Sequence, residues 1–244
     1  MKDGTSPLLG VLGGMGPLAT VDFLEKLIAE TPAERDADHV PVVVYSVPQI
    51  PDRPAAILAG AQSPLPAMLA GIRTLTRAGA SRIAIPCNTA HYWYDDLARE
   101  AGVPIVHIAD ATCEALAGRG LAASAVGLIA TKGTIAAGFF QQRLAARGLR
   151  VLLNSEADQN ECVLPAIAAV KRNNLGAAFD LAVRACERLR AEGAQAIILA
   201  CTEIPPALEH RASQVAAICV DPTRALARAC AAWWLGITRR RPEH

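Results

Sequence analysis

The two halves of this chain of 244 residues carry the same short segments in the same order, and this internal repeat constrains the fold most. "LLGVLGG", "VVVYS", "IAIPCNT" and "VHIADAT" in the first half match "AVGLIAT", "VLLNS", "IILACTE" and "AICVDPT" in the second. The matched positions are Gly10 and Gly127 (127 − 10 = 117), Ser46 and Ser155 (155 − 46 = 109), Cys87 and Cys201 (201 − 87 = 114), and Asp110 and Asp221 (221 − 110 = 111). Nearly constant offsets indicate a duplicated βα unit.

Short apolar runs alternate with helical patterns along the whole sequence. The expected strands are Leu8–Leu12, Val40–Tyr45, Arg82–Ile85, Pro104–Ile108, Ala125–Ile129, Arg150–Leu153, Ala196–Leu199 and Val215–Val220, and the clearest helices are Ala19–Glu30, Leu65–Ala78, Ile135–Ala146 and Ala177–Glu192. Such alternation is typical of parallel sheets with helices on both faces. The Pro-rich and Gly-rich segment Pro48–Pro66 is expected to be a mobile loop.

The predicted fold class is therefore α/β, with two similar parallel-sheet domains related by pseudo-twofold symmetry and the active site in the cleft between them. We expect an N-terminal domain of residues 1–108 plus 213–244 and a second domain of residues 109–212. The chain is 52% hydrophobic and long enough to build one large core or two small ones.

The net charge and the lengths of the apolar runs argue against two kinds of partner, nucleic acid and membrane. A formal net charge of +1 gives no field that favours nucleic acid or an anionic membrane, so neither is an expected partner. No apolar run approaches the ~20 residues that span a bilayer. The first residues, "MKDGTSPLLGVLGG", make a poor signal peptide because Gly and Pro interrupt them, and we expect a cytoplasmic protein.

The seven cysteines are scattered, without C-x-x-C or Cys/His metal spacing, so reduced thiols and no metal site are expected. Five of them fall inside helical or strand patterns, where free cysteine packs as a small hydrophobe. They are Cys113, Cys162, Cys186, Cys219 and Cys230.

The remaining two, Cys87 and Cys201, are repeat partners and follow predicted strands. In open α/β sheets, ligands bind beyond the carboxyl ends of the strands. Thiols on opposite sides of one ligand suit the inversion of a stereocentre: one thiolate removes a proton from carbon, and one thiol returns a proton to the other face. A lone strand-end cysteine usually only packs, but a matched pair favours catalysis.

A polar, helix-starting stretch follows each of these cysteines. Asn88, Thr89 and Ala90 follow the first, and Thr202 and Glu203 follow the second. Backbone N–H groups at a helix start attract anions, so these residues are candidates for binding a carboxylate and for favouring a thiolate. Glu203 either polarises the region of Cys201 or caps the helix. His91 either tunes the Cys87 thiol or is a buried, hydrogen-bonded histidine.

The first loop, "GGMGPLAT", allows a rival interpretation, because Gly14-x-Gly16-x-x-Ala19 fits the dinucleotide fingerprint. That motif also expects an acidic residue after the second strand, and "VVVYSVPQ" has none. We therefore expect backbone N–H groups around Met15 to approach a carboxylate. Thr131 and Thr134 hold the equivalent place in the second half.

Taken together, "GVLGGMGPLAT", "VPQIPDR", "IPCNTAH" and "LACTEIP" resemble the aspartate/glutamate racemase family, and specifically its aspartate racemase branch. The resemblance covers about residues 8 to 206 and implies a homodimeric amino-acid racemase that needs no pyridoxal phosphate or other cofactor. It implies that Cys87 and Cys201 are the catalytic pair. It also implies that Arg53, in the loop with Gln49, and Lys171 bind the side-chain carboxylate of the substrate.

The two cations precede the two cysteines by similar distances in the sequence. Arg53 lies 34 residues before Cys87 (87 − 53 = 34), and Lys171 lies 30 residues before Cys201 (201 − 171 = 30). An acidic amino acid, most of all aspartate and secondarily glutamate, is the expected substrate. A related cysteine enzyme of the same fold, such as a maleate isomerase or a hydantoin racemase, stays open, as does a non-catalytic amino-acid-binding protein.

Overall fold

The computed structural model describes residues 7–120 and 125–238, which divide by their contacts into two compact units. Within these ranges unit 1 comprises residues 7–52, 62–108 and 223–238, and unit 2 comprises residues 53–61, 109–120 and 125–222. None of the described helices is long and apolar enough to cross a membrane.

Strands and helices alternate along the described chain. The strands are β1 (Leu9–Gly13), β2 (Val42–Ser46), β3 (Arg82–Ala84), β4 (Ala125–Ala130), β5 (Arg150–Leu153), β6 (Ala196–Ala200) and β7 (Cys219–Val220). The helices are α1 (Pro17–Glu30), α2 (Arg53–Ala59), α3 (Leu65–Arg77), α4 (Tyr94–Ala101), α5 (Ile108–Ala117), α6 (Lys132–Ala137), α7 (Phe139–Ala145), α8 (Glu156–Asp158), α9 (Leu164–Lys171), α10 (Leu175–Ala191), α11 (Ile204–Glu209) and α12 (Pro222–Thr238).

Each unit contains one parallel sheet, and this confirms the predicted α/β class. The strand order is β2-β1-β3 in unit 1 and β5-β4-β6-β7 in unit 2. In both sheets the first strand of the unit is central and the second is at the edge. Because all strands are parallel, their carboxyl ends lie along one edge of each sheet.

The strand registers confirm three of the four repeat matches. Gly10 pairs with Val43 and Ile83, and Gly127 pairs with Leu152 and Ile197. The corresponding offsets are 127 − 10 = 117, 152 − 43 = 109 and 197 − 83 = 114, the same values that the sequence matches give. The duplication therefore extends to the register of each sheet.

The fourth match is wrong by three residues. Ile83 forms an isolated bridge with Ile105, and Ile197 pairs with Cys219, an offset of 219 − 105 = 114. The helices that follow begin at Ile108 and Pro222, which are also 222 − 108 = 114 apart. Asp110 and Asp221 are therefore not equivalent. The predicted strand Pro104–Ile108 is reduced to this bridge because the helix begins at its last residue.

Three other element predictions need correction. The helix expected over Ile135–Ala146 is two helices, α6 and α7, because Gly138 between them adopts a left-handed φ of 73°. Most of Val215–Val220 is a 3₁₀ turn at Gln214–Ile218. The expected loop Pro48–Pro66 contains helix α2, which packs against α6 in unit 2.

The core of each unit forms where helices pack closely on the central strand. A Cβ atom at Gly10 would lie 3.2 Å from the Cβ of Leu75 in α3 and 2.8 Å from the Cβ of Ala80 just after that helix. One at Gly127 would lie 3.0 Å from Cδ1 of Leu189 in α10. Small residues at these points let the helix approach the sheet. Of the five other cysteines, Cys113, Cys162, Cys186 and Cys230 are buried and Cys219 is partly exposed.

Candidate active site

In unit 1, the carboxyl edge of the sheet gathers the residues that follow β1, β2 and β3. Gly13 at the end of β1 pairs with Ser46 at the end of β2, and Val11 pairs with Ala84 at the end of β3. Three segments therefore meet at this edge. They carry Met15 in the first loop, Gln49 after β2, and Cys87 with Asn88, Thr89 and Ala90 after β3.

Cys87 is only 5% exposed and is fixed by a buried histidine. The N–H of Ile108 donates to Nε2 of His91 (3.2 Å), so that nitrogen is unprotonated and the proton lies on Nδ1. Nδ1 then donates to the carbonyl oxygen of Cys87 (2.9 Å). His91 is thus a neutral, hydrogen-bonded core residue that ties the backbone of Cys87 to the start of α5.

Asn88 carries the clearest sign of a ligand in unit 1. Its side chain is buried, and neither Oδ1 nor Nδ2 has a hydrogen-bond partner in the described part of the chain. A buried amide without partners is costly, and a ligand that both donates and accepts hydrogen bonds would satisfy it. Asn88 directly follows Cys87, so such a ligand would lie beside the thiol.

The first glycine loop is held by a residue that the sequence analysis missed. The N–H of Gly14 donates to Oγ1 of Thr20 (2.9 Å), and that hydroxyl donates to the carbonyl oxygen of Gly16 (3.2 Å). The N–H of Gly14 is therefore engaged within the loop. Met15, between the two glycines, is buried.

In unit 2, β4 and β6 end side by side, because Ala130 pairs with Ala200. Thr131 and Cys201 are the residues that follow, so they are neighbours at the carboxyl edge of this sheet. Oγ1 of Thr131 accepts from the N–H of Thr134 (3.1 Å) and caps α6, and the two hydroxyl oxygens are 3.1 Å apart.

Gln159 is a second residue that the sequence analysis missed. It is buried, and its Nε2 donates to the carbonyl oxygen of Ala130 (2.9 Å), where β4 ends. Glutamine in a helical stretch is ordinarily a surface residue, so its sequence context contains no signal for this role.

Cys201 is 3% exposed and bonded to an acidic neighbour. Its Sγ donates to Oε2 of Glu203 at 3.0 Å, and Oγ1 of Thr202 donates to the same oxygen at 3.3 Å. Burial, followed by the Glu203 carboxylate, raises the pKa of the Cys201 thiol well above its usual value, and the charge of Lys171 acts weakly in the other direction. Cys201 is therefore held as a neutral thiol that can give up a proton.

Lys171 and Arg53 belong to the same unit. Lys171 is the exposed last residue of α9, and Arg53 is the half-buried first residue of α2. The two cations precede the two cysteines by similar numbers of residues, a symmetry that would place one cation in each unit. The contacts instead place both in unit 2. Gln49 is exposed in unit 1.

The two cysteines occupy equivalent places in their own units. Cys87 lies 87 − 83 = 4 residues beyond Ile83, and Cys201 lies 201 − 197 = 4 residues beyond Ile197. Within residues 7–120 and 125–238, no cluster of three or more His, Cys, Asp or Glu side chains has metal-binding geometry.

Comparison with known proteins assigns this chain to a family. Residues 12–230 match the family described as Asp/Glu/Hydantoin racemase. The broad specificity amino-acid racemase RacX of Bacillus subtilis is 29% identical over 234 residues, which cover 93% of this chain and 98% of that protein.

Solved structures agree with this match. Picrophilus torridus aspartate racemase has a TM-score of 0.82 and 31% identity, covering 94% of each chain. Glutamate racemase from Francisella tularensis, at 16% identity and a TM-score of 0.66, covers 98% of this chain and 84% of its own, and shares the fold. The chain belongs to the Asp/Glu/hydantoin racemase family and is a racemase.

Proposed function

We propose that this racemase interconverts the enantiomers of an acidic amino acid, most of all aspartate, without pyridoxal phosphate. The observation that carries the proposal is the pair of buried cysteines at equivalent strand ends of two duplicated units. The likeness to Picrophilus torridus aspartate racemase supports the choice of substrate.

In this proposal the two thiols share one proton and act on opposite faces of the α-carbon. Cys201, held as a thiol beside Glu203, donates a proton to one face. Cys87, as thiolate, accepts the α-proton from the other face. After one turnover Cys87 holds the proton and Cys201 is the thiolate, so the reverse reaction uses the same two groups in exchanged roles. The electron pair of the broken C–H bond forms the new C–H bond, and no redox step is needed.

Polar groups next to the thiols would hold the substrate. The unpartnered amide of Asn88 can donate to a carboxylate and accept from an ammonium group. Thr89, Ala90, Thr131, Thr134, Thr202 and Met15 complete the proposed surroundings of the amino-acid backbone. Buried donors of this kind also stabilise the enolate-like charge that develops when the α-proton leaves.

For the side-chain carboxylate we propose Arg53 and Lys171, with Gln49 as a polar neighbour. A guanidinium binds a carboxylate with two parallel hydrogen bonds, whereas an ammonium group acts as a point charge. The positive charge of Lys171 already acts on Cys201, which supports its place near the reaction centre. We also propose that the working protein is a homodimer.

A second candidate is racemisation of a wider set of amino acids. It is favoured by the likeness to RacX, whose name describes broad specificity. The two candidates share the thiol chemistry and differ in how strongly Arg53 and Lys171 select an acidic side chain.

The test is isotope exchange in D₂O. The protein is incubated without added cofactor with each enantiomer of aspartate, glutamate and alanine, while deuterium at Cα and optical rotation are followed. We expect exchange and racemisation to be fastest with aspartate and to persist after hydroxylamine treatment. A Cys87→Ala/Cys201→Ala double variant, purified in parallel, controls for contaminating racemases. Equal rates for alanine and aspartate support the broader candidate, and no exchange with any amino acid contradicts both.

A further inference from the structure

The central strand of unit 2 extends further than its edge partner. Leu128 of β4 pairs with Leu153, the last residue of β5, whereas β4 continues to Ala130. On the other side β4 is paired to its end, because Ala130 pairs with Ala200 of β6. Buried backbone N–H and C=O groups are nearly always hydrogen-bonded, so a group that faces the β5 side at the end of β4 needs another partner.

The carbonyl group of Ala130 faces that side. Carbonyl groups along a strand point alternately toward its two neighbours. The carbonyl oxygen of Ala125 accepts from the N–H of Gln195, the residue before β6, at 2.9 Å and therefore faces β6. Ala130 is five residues later, so its carbonyl faces the β5 side, and Ala130 is fully buried. Nε2 of Gln159 supplies the donor at 2.9 Å, in the place of the missing strand.

The hydrogen bond to Ala130 explains why an amide lies on the buried side of its helical turn. Gln159 begins the π-helical turn Gln159–Val163, and the buried residues of this turn are Gln159, Cys162 and Val163. The last two pack in the hydrophobic core of unit 2. An amide buried there without a partner would cost free energy, and the bond to Ala130 offsets that cost. Turns of this kind are frequent at functional sites.

The repeat shows how the same carbonyl is satisfied in unit 1. Gly13 is the equivalent of Ala130 (130 − 13 = 117), and its carbonyl oxygen accepts from the backbone N–H of Val47 at 3.1 Å. Val47 directly follows β2, so unit 1 uses the continuation of its own edge strand as the donor.

Unit 2 has no such continuation, because its chain turns into a helix at the equivalent point. Ser155, the partner of Ser46 in the repeat, accepts from the N–H of Asp158 (3.1 Å) and caps α8. The position equivalent to Gln159 in unit 1 is Ile50 (159 − 50 = 109), which is buried and apolar. The glutamine is therefore present in the unit whose edge strand ends early.

The bond from Gln159 fixes the peptide group that joins Ala130 to Thr131. In a planar trans peptide the C=O and N–H groups point in opposite directions. Because the carbonyl is held toward Gln159, the N–H of Thr131 points toward the β6 side, where Cys201 follows Ala200. Thr131 is also the N-cap residue of α6. Gln159 thus sets the direction in which the chain leaves β4 beside Cys201.

We propose that Gln159 is a positioning residue that holds Thr131 beside Cys201 for the substrate. It acts through the carbonyl group of Ala130 rather than by contact with the substrate. The inference rests on the proposed function, in which Thr131 contributes to binding of the amino-acid backbone and Cys201 carries a proton. Loss of the bond should therefore weaken binding of the part that all amino acids share.

The test is the split between KM and kcat in variants of Gln159. Gln159→Met removes the donor and keeps the length of the side chain. We expect KM for both enantiomers of aspartate to rise about 10-fold to 100-fold, with a smaller change in kcat, because a buried carbonyl loses its donor and Thr131 loses its support. Gln159→Glu sets a carboxylate oxygen against the carbonyl oxygen and should raise KM further. A residue that only stabilised the fold would reduce the amount of active protein and leave KM unchanged.

The matched control is Gln141 in α7. Its Nε2 donates to the carbonyl oxygen of Ile135 at 2.8 Å, which is the same kind of bond near the other end of α6. Gln141→Met should lower the urea midpoint of unfolding without a change in KM. A wild-type KM in Gln159→Met overturns the proposal, and so does an equal rise of KM in Gln141→Met.

Hydrogen exchange of backbone amides, followed by NMR, tests the positioning without any measurement of activity. The N–H groups of Thr134 and Ile135 donate to the hydroxyl and carbonyl oxygens of Thr131 (3.1 and 3.0 Å). Gln159→Met should speed exchange at these two amides at least ~10-fold more than at Ile198 in the middle of β6, which reports global unfolding. If the wild-type protein racemises no amino acid, the proposed function fails, and these rates still decide whether Gln159 holds the end of β4. Equal changes at all three amides overturn the positioning role.

Discussion

At the residue scale, burial and then the neighbouring Glu203 carboxylate raise the pKa of Cys201 and favour its protonated thiol. The carboxylate 3.0 Å from Sγ favours the neutral thiol through both its charge and its acceptor oxygen. Glu203 is thus proposed as a positioning residue that holds Cys201 ready as a proton donor. His91 has a different role, because both of its ring nitrogens are engaged by backbone groups.

Glu203→Gln should lower the pKa of Cys201, because it removes the negative charge that favours the thiol. We expect the pH midpoint for alkylation of Cys201 by iodoacetamide, followed by mass spectrometry, to move to lower pH. Loss of a charged hydrogen bond worth ~1.5–3 kcal/mol predicts a fall in racemase turnover of about 10-fold to 150-fold. The alkylation midpoint of Cys87 in the same samples is the internal reference. An unchanged midpoint for Cys201 would show that Glu203 does not control this thiol.

At the scale of elements, helix α2 carries Arg53, the residue proposed to bind the side-chain carboxylate, in a segment whose Pro and Gly content predicts a mobile loop. The helix packs on α6, which Thr131 caps. Seven residues bounded by Pro and Gly give too weak a periodic pattern to identify a helix, and its packing partner lies about 80 residues later in the sequence.

Arg53→Ala should lower kcat/KM for aspartate while sparing the fold. Removing one cation from a partly desolvated ion pair costs ~2–5 kcal/mol, or roughly 30-fold to several thousand-fold. The loss for alanine should be much smaller, because alanine has no side-chain carboxylate. Arg53→Lys should recover only part of the activity, since the bidentate contact is lost. Arg73→Ala, at an exposed arginine of α3, is the control. Equal losses for aspartate and alanine would remove Arg53 from the specificity site.

The space around three glycines predicts how replacing each by alanine changes the free energy of unfolding. Two substitutions should lower it, and one should raise it. Gly10→Ala should lower the free energy of unfolding by ~1–3 kcal/mol, because the new Cβ would lie 2.8 Å from the Cβ of Ala80. Gly127→Ala should cost less, since its nearest neighbour would be Cδ1 of Leu189 at 3.0 Å, the far end of a side chain that can shift. Gly236→Ala, in α12 with open space around it, should stabilise by ~0.5–1 kcal/mol. Urea unfolding measures all three, and a neutral Gly10→Ala contradicts the packing described for β1.

At the scale of the whole molecule, the repeat made most of the fold predictable from sequence. Matches at Gly10, Ser46 and Cys87 gave offsets that the sheet registers reproduce, and the positions of the two strand-end cysteines followed from them. Contacts that depend on tertiary structure could not be predicted. Thr20 holds the first glycine loop through hydrogen bonds to Gly14 and Gly16, and Gln159 reaches the backbone of Ala130, 29 residues earlier; no sequence pattern marks either residue.

The buried thiols predict a loss of stability at alkaline pH. Burial raises the pKa of Cys113 and of Cys201, and it raises the pKa of Cys230 to about 12. Unfolded thiols titrate near ~8.5, so above that pH the unfolded state loses protons first and is favoured. Stability should be complete below about pH 8.5 and fall as pH rises toward the folded-state pKa values, by up to ~1.4 kcal/mol per pH unit for each thiol.

Urea unfolding in the presence of a reductant, between pH 7 and pH 10, measures this slope. Cys230→Ala should make the slope shallower, because it removes one of the thiols with a raised pKa. A free energy of unfolding that stays constant from pH 8 to pH 10 is incompatible with thiols that remain protonated in the folded state.

The central claim is that two thiols, one in each unit, carry the proton on opposite faces of the substrate carbon. It is tested most directly by measuring racemisation of L-aspartate and D-aspartate with Cys87→Ala and Cys201→Ala, beside Cys113→Ala as a control at a buried packing thiol. We predict that each single variant at Cys87 or Cys201 loses at least ~100-fold of racemase activity in both directions, since each face then lacks its only proton carrier. The control should remain active. Wild-type rates of racemisation in either Cys87→Ala or Cys201→Ala would contradict the two-thiol mechanism.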